Sequence, residues 1–317
     1  MFDGYQDGLA KPERVHRIIS KWQCPNTESV DWGFGCDPNS SPRACKTVFE
    51  ITCSLLMAVA LIFGAYTTAY GFSQDDLEKL KATGACPGCD LEQAPLKNLN
   101  LNGANLEDAN LRNADLKLID LSEANLQGAD LRGAEIEKAD LSGANMTAAL
   151  LQDADLEKID MMGTNLTGVN LARADLENAN LSAAKLVGAD LKSANLRRAI
   201  LDEAYIVNAQ LDHADMERAS LQKAVLDNSS LEAVNLKRAD LKGVTIDGVS
   251  FRNAMLTRAT LRDAVIAHSD FTDAGLRLAN LDGAVLTDAT GLTQNQLNES
   301  CGDEGTQLPD GLTVNPC

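Results

Sequence analysis

Residues 121–145 read LSEANLQGADLRGAEIEKADLSGAN, and every fifth residue of this stretch is large and apolar. The same register begins at Leu91 and ends at Leu286, and its 40 consecutive positions are all Leu, Ile, Met or Phe. Two residues before the next large one, 30 of the 40 units carry Ala. Such a repeat has to be interpreted first, because missing it leads to the wrong fold. The exceptions at the Ala position are uncharged, namely Leu99, Ile119, Ile159, Thr164, Val169, Ser229, Val234, Val244, Val249 and Ser269.

A period of five residues fits neither an α-helix, with about 3.6 residues per turn, nor a flat strand with alternating side chains. It fits a chain that turns a corner after each unit, so that every unit forms one side of a stacked coil. The large and the small residue then point inward. The other three positions are rich in Asp, Asn, Gly, Lys, Arg and Ser, which suit turns and solvent. The sequence therefore predicts an all-β solenoid whose coils pair through their backbones.

Units such as Ala104–Asp108 (ANLED) and Ala129–Gly133 (ADLRG) resemble the A(D/N)LXX signature of pentapeptide-repeat proteins. The resemblance implies a right-handed quadrilateral β-helix with four pentads per coil, hence about ten coils between residues 89 and 290. At a strand spacing of about 4.8 Å, such a column is about 48 Å tall. The family name describes a shape that serves many roles, so it does not by itself imply an activity.

The region before the repeat predicts a membrane-anchored member of this family. Residues 1–46 form an expected cytoplasmic segment with a short amphipathic helix, which either lies on a membrane surface, packs on a partner or packs on its own loops. Residues 47–72 are expected to form a transmembrane helix, since Ile51 to Phe72 carry no charge and are long enough to cross a bilayer. A cleaved signal peptide, with its site near Ala69–Gly71, is the competing interpretation.

Charges beside this apolar segment predict its orientation. Basic residues Arg43 and Lys46 precede it and acidic residues follow it, so the positive-inside rule places the N-terminus in the cytoplasm. The expected localisation is an inner membrane, or a thylakoid membrane, with a single pass and the repeat in the periplasm or lumen.

Short helices are predicted to cover both ends of the column. Residues 73–88 form a linker and an N-terminal cap, with Ser73 at the start of a helix and Gly84 at its end. Residues 291–317 form a C-terminal cap and tail, in which Thr293 and Gln296 have the spacing of a capping box. Each cap shields strand edges that a first or last coil leaves unpaired.

Four cysteines flank the repeat, and their positions predict two disulfides in an oxidising compartment. Cys301 and Cys317 are expected to pair because the tail has little else to hold it, and Cys86 is expected to pair with Cys89. The CPGC sequence also resembles a redox-active CxxC, although the βαβ context of thioredoxin-type proteins is missing. A zinc site needs further ligands nearby, and none stands near it in the sequence.

The charge of the chain limits its function classes. The net charge is −18, and residues 90–289 contribute −12 of it through 32 acidic and 20 basic residues. Such a column argues against non-specific nucleic-acid binding, which requires a basic face. The three His are scattered, so no metal site is expected. A core filled by Leu and Ala leaves no cavity, so no cofactor or small-molecule substrate is expected. With Leu and Ala filling the inside and carboxylates on the outside, an enzyme is not expected either.

Residues 20 apart in the sequence stack on each other, so each side of the column can be followed from coil to coil. On one side, the position before the large residue turns from Asn to apolar and β-branched residues, forming an apolar stripe about 20 Å tall. Exposed apolar strips often mark interaction sites. A preference of β-branched residues for a straight side, or coverage by the C-terminal tail, would explain the pattern equally well. The stripe contains Tyr205, Val225, Thr245, Val265 and Val285, with Val207 and Ala267 two residues further along.

Together these features predict a non-enzymatic, membrane-anchored scaffold or accessory subunit that presents a β-helical rod to a protein partner. The alternative is an acidic rod that mimics duplex DNA and binds a topoisomerase, a role that the resemblance to the family makes conceivable. A redox carrier acting through Cys86 and Cys89 is a third hypothesis.

Overall fold

A computed structural model describes residues 71–317, which belong to one compact unit. The predicted segment 1–46 and all but the last two residues of the predicted helix 47–72 lie outside the described residues. Helix α1 spans Gln74–Thr83 and helix α2 spans Gln294–Asn298. The named strands are short: β1 Tyr205–Val207, β2 Val225–Asp227, β3 Thr245–Asp247, β4 Val265–Ala267, β5 Cys301–Gly302 and β6 Asn315–Pro316.

The predicted four-sided column is confirmed by pairing between residues 20 apart. Asp90 bridges Asn110, Asn110 bridges Asp130, and parallel bridges of the same spacing continue through the repeat. The Leu91 amide donates to the Asn110 carbonyl (2.8 Å), and the Asn110 amide donates to the Cys89 carbonyl (2.9 Å). Each coil therefore holds four pentads, and the first runs over residues 90–109 and the tenth over 270–289. Sides 1 to 4 are the stacks that begin at Leu91, Leu96, Leu101 and Leu106.

The large residue and the small residue of every pentad form the core, as predicted. All 40 large residues from Leu91 to Leu286 are buried, and most are fully inaccessible. Two aromatic rings, Phe251 and Phe271, stack one coil apart with their centroids 4.9 Å from each other. Because the column is only one large and one small side chain deep per side, any gain or loss of volume is felt by the coils above and below.

The Asp or Asn before each large residue has a backbone role that explains the signature. A β-turn closes each ordinary pentad, as when the Ala94 amide donates to the Leu91 carbonyl (3.0 Å). The backbone amide of the residue that follows the large one is not used by that turn, so it needs a separate acceptor. The carboxylate of Asp130 accepts from the Arg132 amide (3.2 Å), and the same contact recurs in most pentads with Asp or Asn there. Such local turns are a known preference of these side chains.

Both ends of the column are covered, as the sequence predicts. Ser73 caps α1 by accepting from the Asp76 amide, and Gly84 ends the helix in the left-handed region. At the other end, Thr293 and Gln296 form a complete capping box on α2. The Gln296 side chain also donates to the Phe271 and Ala274 carbonyls (3.0 and 2.8 Å). These contacts satisfy backbone groups that have no further coil to pair with.

The predicted localisation in an inner or thylakoid membrane, as a single-pass protein, is wrong. Over residues 71–317 no helix has the length and apolarity needed to cross a bilayer; α1 has ten residues and α2 five, whereas a span needs about 20. Phe72, the last residue assigned to the apolar span, is instead buried in the core cluster of the column. The apolar character of this segment predicts a lipid environment, but its last residue packs against protein.

Candidate interaction surface

Side 4 carries the predicted apolar stripe, and the structure brings its residues together. Tyr205 pairs with Val225, Val225 with Thr245, and Thr245 with Val265 in a four-stranded parallel sheet of β1 to β4. Val265 then bridges Val285. Tyr205 is 52 % and Val265 49 % exposed, while Val225 and Val285 are half-buried. The five residues therefore form one continuous column, exposed at three positions and half-buried at two.

The pentads of β1 to β4 are extended rather than tightly turned, and buried serines compensate for the missing turn bonds. The Ala209 amide, which has no turn carbonyl to donate to, donates to Ser229 Oγ (3.0 Å). Ser229 Oγ in turn donates to the Ile206 carbonyl (3.0 Å). Ser269 accepts from the Val249 amide in the same way (3.2 Å). Ser229 and Ser269, two of the polar residues that replace Ala in the repeat, therefore satisfy backbone groups of side 4.

The stripe is not covered by the C-terminal tail, which was one of the open explanations. Gln307 bridges Val285 and Cys301 bridges Asn280, so the tail continues the column upward as part of a further coil. The preference of β-branched residues for a pleated side is consistent with β1 to β4. That preference accounts for the extended backbone of β1 to β4. It does not account for the solvent exposure of the apolar side chains.

One exposed residue of side 4 was missed by the sequence analysis. Val187 is 36 % exposed and stands 20 residues before Val207, directly beneath it. The spacing alone would have identified it, since it extends the Val207 column by one coil. Below that point side 4 becomes polar. The side-chain amide of Asn125 donates to Asn105 Oδ1 (3.3 Å), and the side-chain amide of Asn145 donates to Asn125 Oδ1 (3.1 Å). The apolar surface is thus confined to the upper coils.

Acidic side chains border the stripe. Asp227 and Asp247 lie two residues along from Val225 and Thr245 in the same strands. His268 Nδ1 lies 2.8 Å from Asp247 Oδ1. This hydrogen bond, together with the charge of Asp247, raises the pKa of His268 above its ordinary value of 6.5. The border is therefore negative at high pH and partly neutralised once His268 is protonated.

The four predicted disulfide cysteines come together in the two expected pairs. The sulfur atoms of Cys86 and Cys89 lie 1.98 Å apart, and those of Cys301 and Cys317 lie 2.08 Å apart. Cys86 and Cys89 sit under α1 and are almost completely buried. A redox carrier has to expose its sulfur to a substrate, so this burial argues against that hypothesis. Whether the two bonds form in the protein stays a prediction.

A possible metal ligand near CPGC was also missed. Helix α1 brings Asp76 close to Cys86 and Cys89, and the three ligand atoms lie within 4.8 Å of one another. Sequence spacing could not show this because Asp76 is ten residues upstream. A metal would require both cysteines as thiolates, so a metal site here and the predicted disulfide are mutually exclusive. The Asp76 carboxylate has another partner in the Asp90 amide (3.0 Å), which ties α1 to the first coil.

Comparison with known proteins supports what the geometry indicates. The family model described as Pentapeptide repeats matches in 8 copies between residues 89 and 288. The chain belongs to the pentapeptide-repeat family. Proteins of this family fold as right-handed quadrilateral β-helices and are in general non-enzymatic structural or interaction proteins. No curated protein sequence matches the chain.

Several solved pentapeptide-repeat structures are similar to this chain. HetL, a protein involved in heterocyst differentiation regulation from the cyanobacterium Nostoc, is 30% identical over 73% of this chain and 97% of its own, with a TM-score of 0.26. A thylakoid lumen protein from Arabidopsis thaliana is 30% identical over 34% of this chain and 66% of its own, with a TM-score of 0.23. QnrB1, a plasmid-mediated fluoroquinolone resistance protein, is 17% identical over 54% of this chain and 94% of its own, with a TM-score of 0.29.

Proposed function

We propose that this pentapeptide-repeat column is a non-enzymatic scaffold that binds a protein partner through the apolar stripe of side 4. The unbroken run from Tyr205 to Val285, in which three of the five residues are exposed, is the observation that carries the proposal. A solvated repeat has no need of apolar residues at a position where Asp or Asn satisfies a backbone amide. Four successive coils carry an extended pentad on this side, and two of these pentads contain a buried serine, Ser229 and Ser269.

The border of the stripe indicates the chemistry of the partner. Tyr205 and Val265 offer apolar area at the centre of the side, and Asp227 and Asp247 flank it. A complementary surface is an apolar ridge or helix face bordered by Lys or Arg. A stripe about 20 Å tall matches about three to four turns of an amphipathic helix at about 5.4 Å per turn.

Acidic mimicry of duplex DNA is less well supported. A duplex presents negative charge on all sides, but side 4 is apolar in its upper coils. Side 2 carries Lys237, Arg238, Arg258 and Arg277 in coils 8 to 10, without an acidic residue in between. The net charge of −12 on residues 90–289 is therefore unevenly distributed, as suits a surface with separate binding regions.

The test replaces stripe residues without touching the core. The double variant Val225→Asp and Val265→Asp places carboxylates at positions where Asp is common in this repeat, so the column should fold. The matched control is Ser250→Asp with Thr260→Asp, at the same position of the pentad on sides 1 and 3. Tagged full-length chains are purified under mild conditions from their native cell, and co-purifying proteins are quantified.

The proposal expects one or more proteins to be retained by the parent chain and the control, and lost by the stripe variant. Circular dichroism checks that all three columns are folded. An identical set of proteins on all three chains would show that the stripe binds none of them.

A further inference from the structure

Charge is separated along side 2, which lies opposite the apolar stripe. In coils 3 to 5 its outward residues include six acidic residues and two basic ones. In coils 8 to 10 they include four basic residues and no acidic one. The acidic set is Glu135, Glu137, Asp155, Glu157, Asp175 and Glu177, and the basic set is Lys237, Arg238, Arg258 and Arg277. One side of the rod thus carries net charges of −4 and +4 in two separate regions.

The basic region has no partner within its own chain. In the described part of the protein, none of Lys237, Arg238, Arg258 and Arg277 has a carboxylate oxygen within 4.0 Å, whereas many other basic residues of the column do; Arg173, for example, lies 2.7 Å from Asp153. Arg238, Arg258 and Arg277 are exposed. These residues lie in two adjacent columns, one or two coils apart at about 4.8 Å per coil, so their like charges repel one another unless a negative surface covers them.

The acidic region is equally crowded. Burial raises the pKa of the Asp155 carboxyl, and the neighbouring Glu137 and Glu157 raise it further. Lys117 lies 2.6 Å from Glu135 and Arg198 lies 3.0 Å from Glu177, but these contacts do not cancel the six carboxylates. A positive surface of matching spacing would relieve this repulsion.

We propose that side 2 is the interface for a second copy of this chain, which lies against it in antiparallel orientation. A two-fold axis between coils 6 and 7 brings coil 3 opposite coil 10, coil 4 opposite coil 9, and coil 5 opposite coil 8. In the column of residues just after the large one, three of the four facing pairs then carry opposite charges: Glu137 faces Arg277, Glu177 faces Lys237, and Arg197 faces Glu217. The fourth pair is Glu157 with the uncharged Thr257. Each pair occurs twice, as a two-fold interface requires.

The corner column of side 2 does not oppose this arrangement strongly. It contains two like-charge pairs that the axis brings towards each other, Arg198 with Arg218 and Lys158 with Arg258. Three of these residues already have a carboxylate of their own chain: Glu177 lies 3.0 Å from Arg198, Glu217 lies 3.7 Å from Arg218, and Glu157 contacts Lys158. The corner also lies at the edge of the side, where long side chains remain in solvent and repulsion is screened.

The dimensions predict a weak dimer. Eight coils overlap, giving a height of about 38 Å, and three extended residues make a side on the order of 10 Å wide. The contact is then roughly 400 Å² per partner before side chains are counted, against about 800 Å² in a standard specific interface. Such a dimer is held by charge and has to dissociate as salt rises. It also leaves both stripes on side 4 free, so the pair can bind two partners.

The experiment exchanges charges between the two regions of the full-length chain. One variant carries Lys237→Glu and Arg277→Glu, and a second carries Glu137→Lys and Glu177→Lys. The control variant, Arg112→Glu with Lys192→Glu, reverses two exposed basic residues on side 1. Sedimentation velocity at high protein concentration is recorded at about 0.1 M and about 1 M salt, between which the Debye length falls from about 10 Å to about 3 Å.

The parent chain and the control are expected to dimerise at the lower salt only. Each side 2 variant alone should associate at least roughly tenfold more weakly than the parent chain. An equimolar mixture of the two variants should recover the dimer, because each variant supplies the charge that the other lacks. A parent chain that is monomeric at the lower salt overturns the proposal. The proposal is also overturned if each variant alone still dimerises like the parent chain, or if the equimolar mixture of the two variants stays monomeric.

Discussion

Buried hydroxyl groups are the residues on which the backbone of side 4 depends. Ser229 accepts from the amide of Ala209 and donates to the carbonyl of Ile206, two groups that an ordinary pentad satisfies within its own turn. Thr164 has a related role, since its hydroxyl donates to the Leu141 carbonyl (2.9 Å). On side 4, a Ser at the Ala position thus indicates a backbone amide that lacks its usual turn partner. The Leu141 carbonyl, in contrast, also keeps its turn bond from the Ala144 amide (3.0 Å).

Replacing Ser229 with Ala should destabilise the column by about 1 to 3 kcal/mol, because it leaves the buried amide of Ala209 without an acceptor. The control is Ser250→Ala, which removes an outward hydroxyl and should change stability by less than about 0.5 kcal/mol. Urea unfolding of both variants measures the difference. An equal effect of the two substitutions would mean that the Ser229 hydroxyl satisfies no buried group.

Protonation of His268 is the expected source of pH dependence beside the stripe. Its pKa is raised by the hydrogen bond to Asp247, so the contact contributes most below the ordinary pKa of 6.5. The contribution is lost as pH rises through the raised value. Both side chains are well exposed, so solvent screens the effect on stability.

An NMR titration of the His268 ring should therefore give a pKa above 6.5, and Asp247→Asn should lower it towards that value. Glu203→Gln, on a different side of the column, serves as the control and should leave the titration unchanged. A His268 titration that is the same with and without Asp247 would show that the ion pair does not persist in solution.

At the level of elements, the C-terminal end is held by short pieces rather than by a continuous coil. Strand β5 pairs with β6 over two residues, and α2 contributes the capping box. Gln294 donates to the Thr313 carbonyl (2.8 Å) and accepts from the Thr313 amide (3.1 Å). Beyond Gln307 so little backbone pairing leaves the end of the tail dependent on the link between Cys301 and Cys317.

Peptide mapping without reduction should find Cys301 joined to Cys317, and Cys86 joined to Cys89. The variant Cys317→Ser should speed amide hydrogen exchange in β5 and β6 while coils 1 to 8 keep their protection, because a closed loop of about 15 residues contributes about 3 kcal/mol in the chain-entropy model. Reduction of the parent chain should reproduce the effect. Unchanged exchange in the tail would assign its stability to hydrogen bonds alone.

For the whole molecule, stability is carried from coil to coil. Each coil contacts only its neighbours, so the column behaves as a one-dimensional array in which an interior defect separates two blocks. The core offers a direct comparison, since Leu186 is completely buried while Leu118 is 50 % exposed at a corner.

Truncating Leu186 to Ala should cost about 2 to 5 kcal/mol, because the surrounding coils cannot close the cavity. It should also broaden or split the unfolding transition, since the blocks on either side of coil 5 lose their coupling. Leu118→Ala makes the same chemical change at the surface and should have little effect. Thermal unfolding followed by circular dichroism compares the two, and a single sharp transition of normal midpoint for Leu186→Ala contradicts the array description.

The sequence by itself determined the column, the identity of its core residues, the stacking of residues 20 apart and hence the position of the stripe. It could do so because one local rule, repeated every five residues, makes the same contacts in every coil. The caps were also predictable, since Ser73, Gly84 and Thr293 act on backbone groups within a few residues of themselves.

Only the tertiary structure decided which groups meet across coils or at the ends. It placed Asp76 beside Cys86 and gave Ser229 the backbone amide of Ala209 as a partner. It also packed Phe72, which hydropathy assigns to a membrane span, into the core of the column. It also showed that, within the described part of the chain, the basic residues of side 2 in coils 8 to 10, including Lys237 and Arg277, have no carboxylate oxygen within 4.0 Å. These contacts depend on the position of one coil or helix over another, and a period in the sequence fixes the stacking but not the partners of individual side chains.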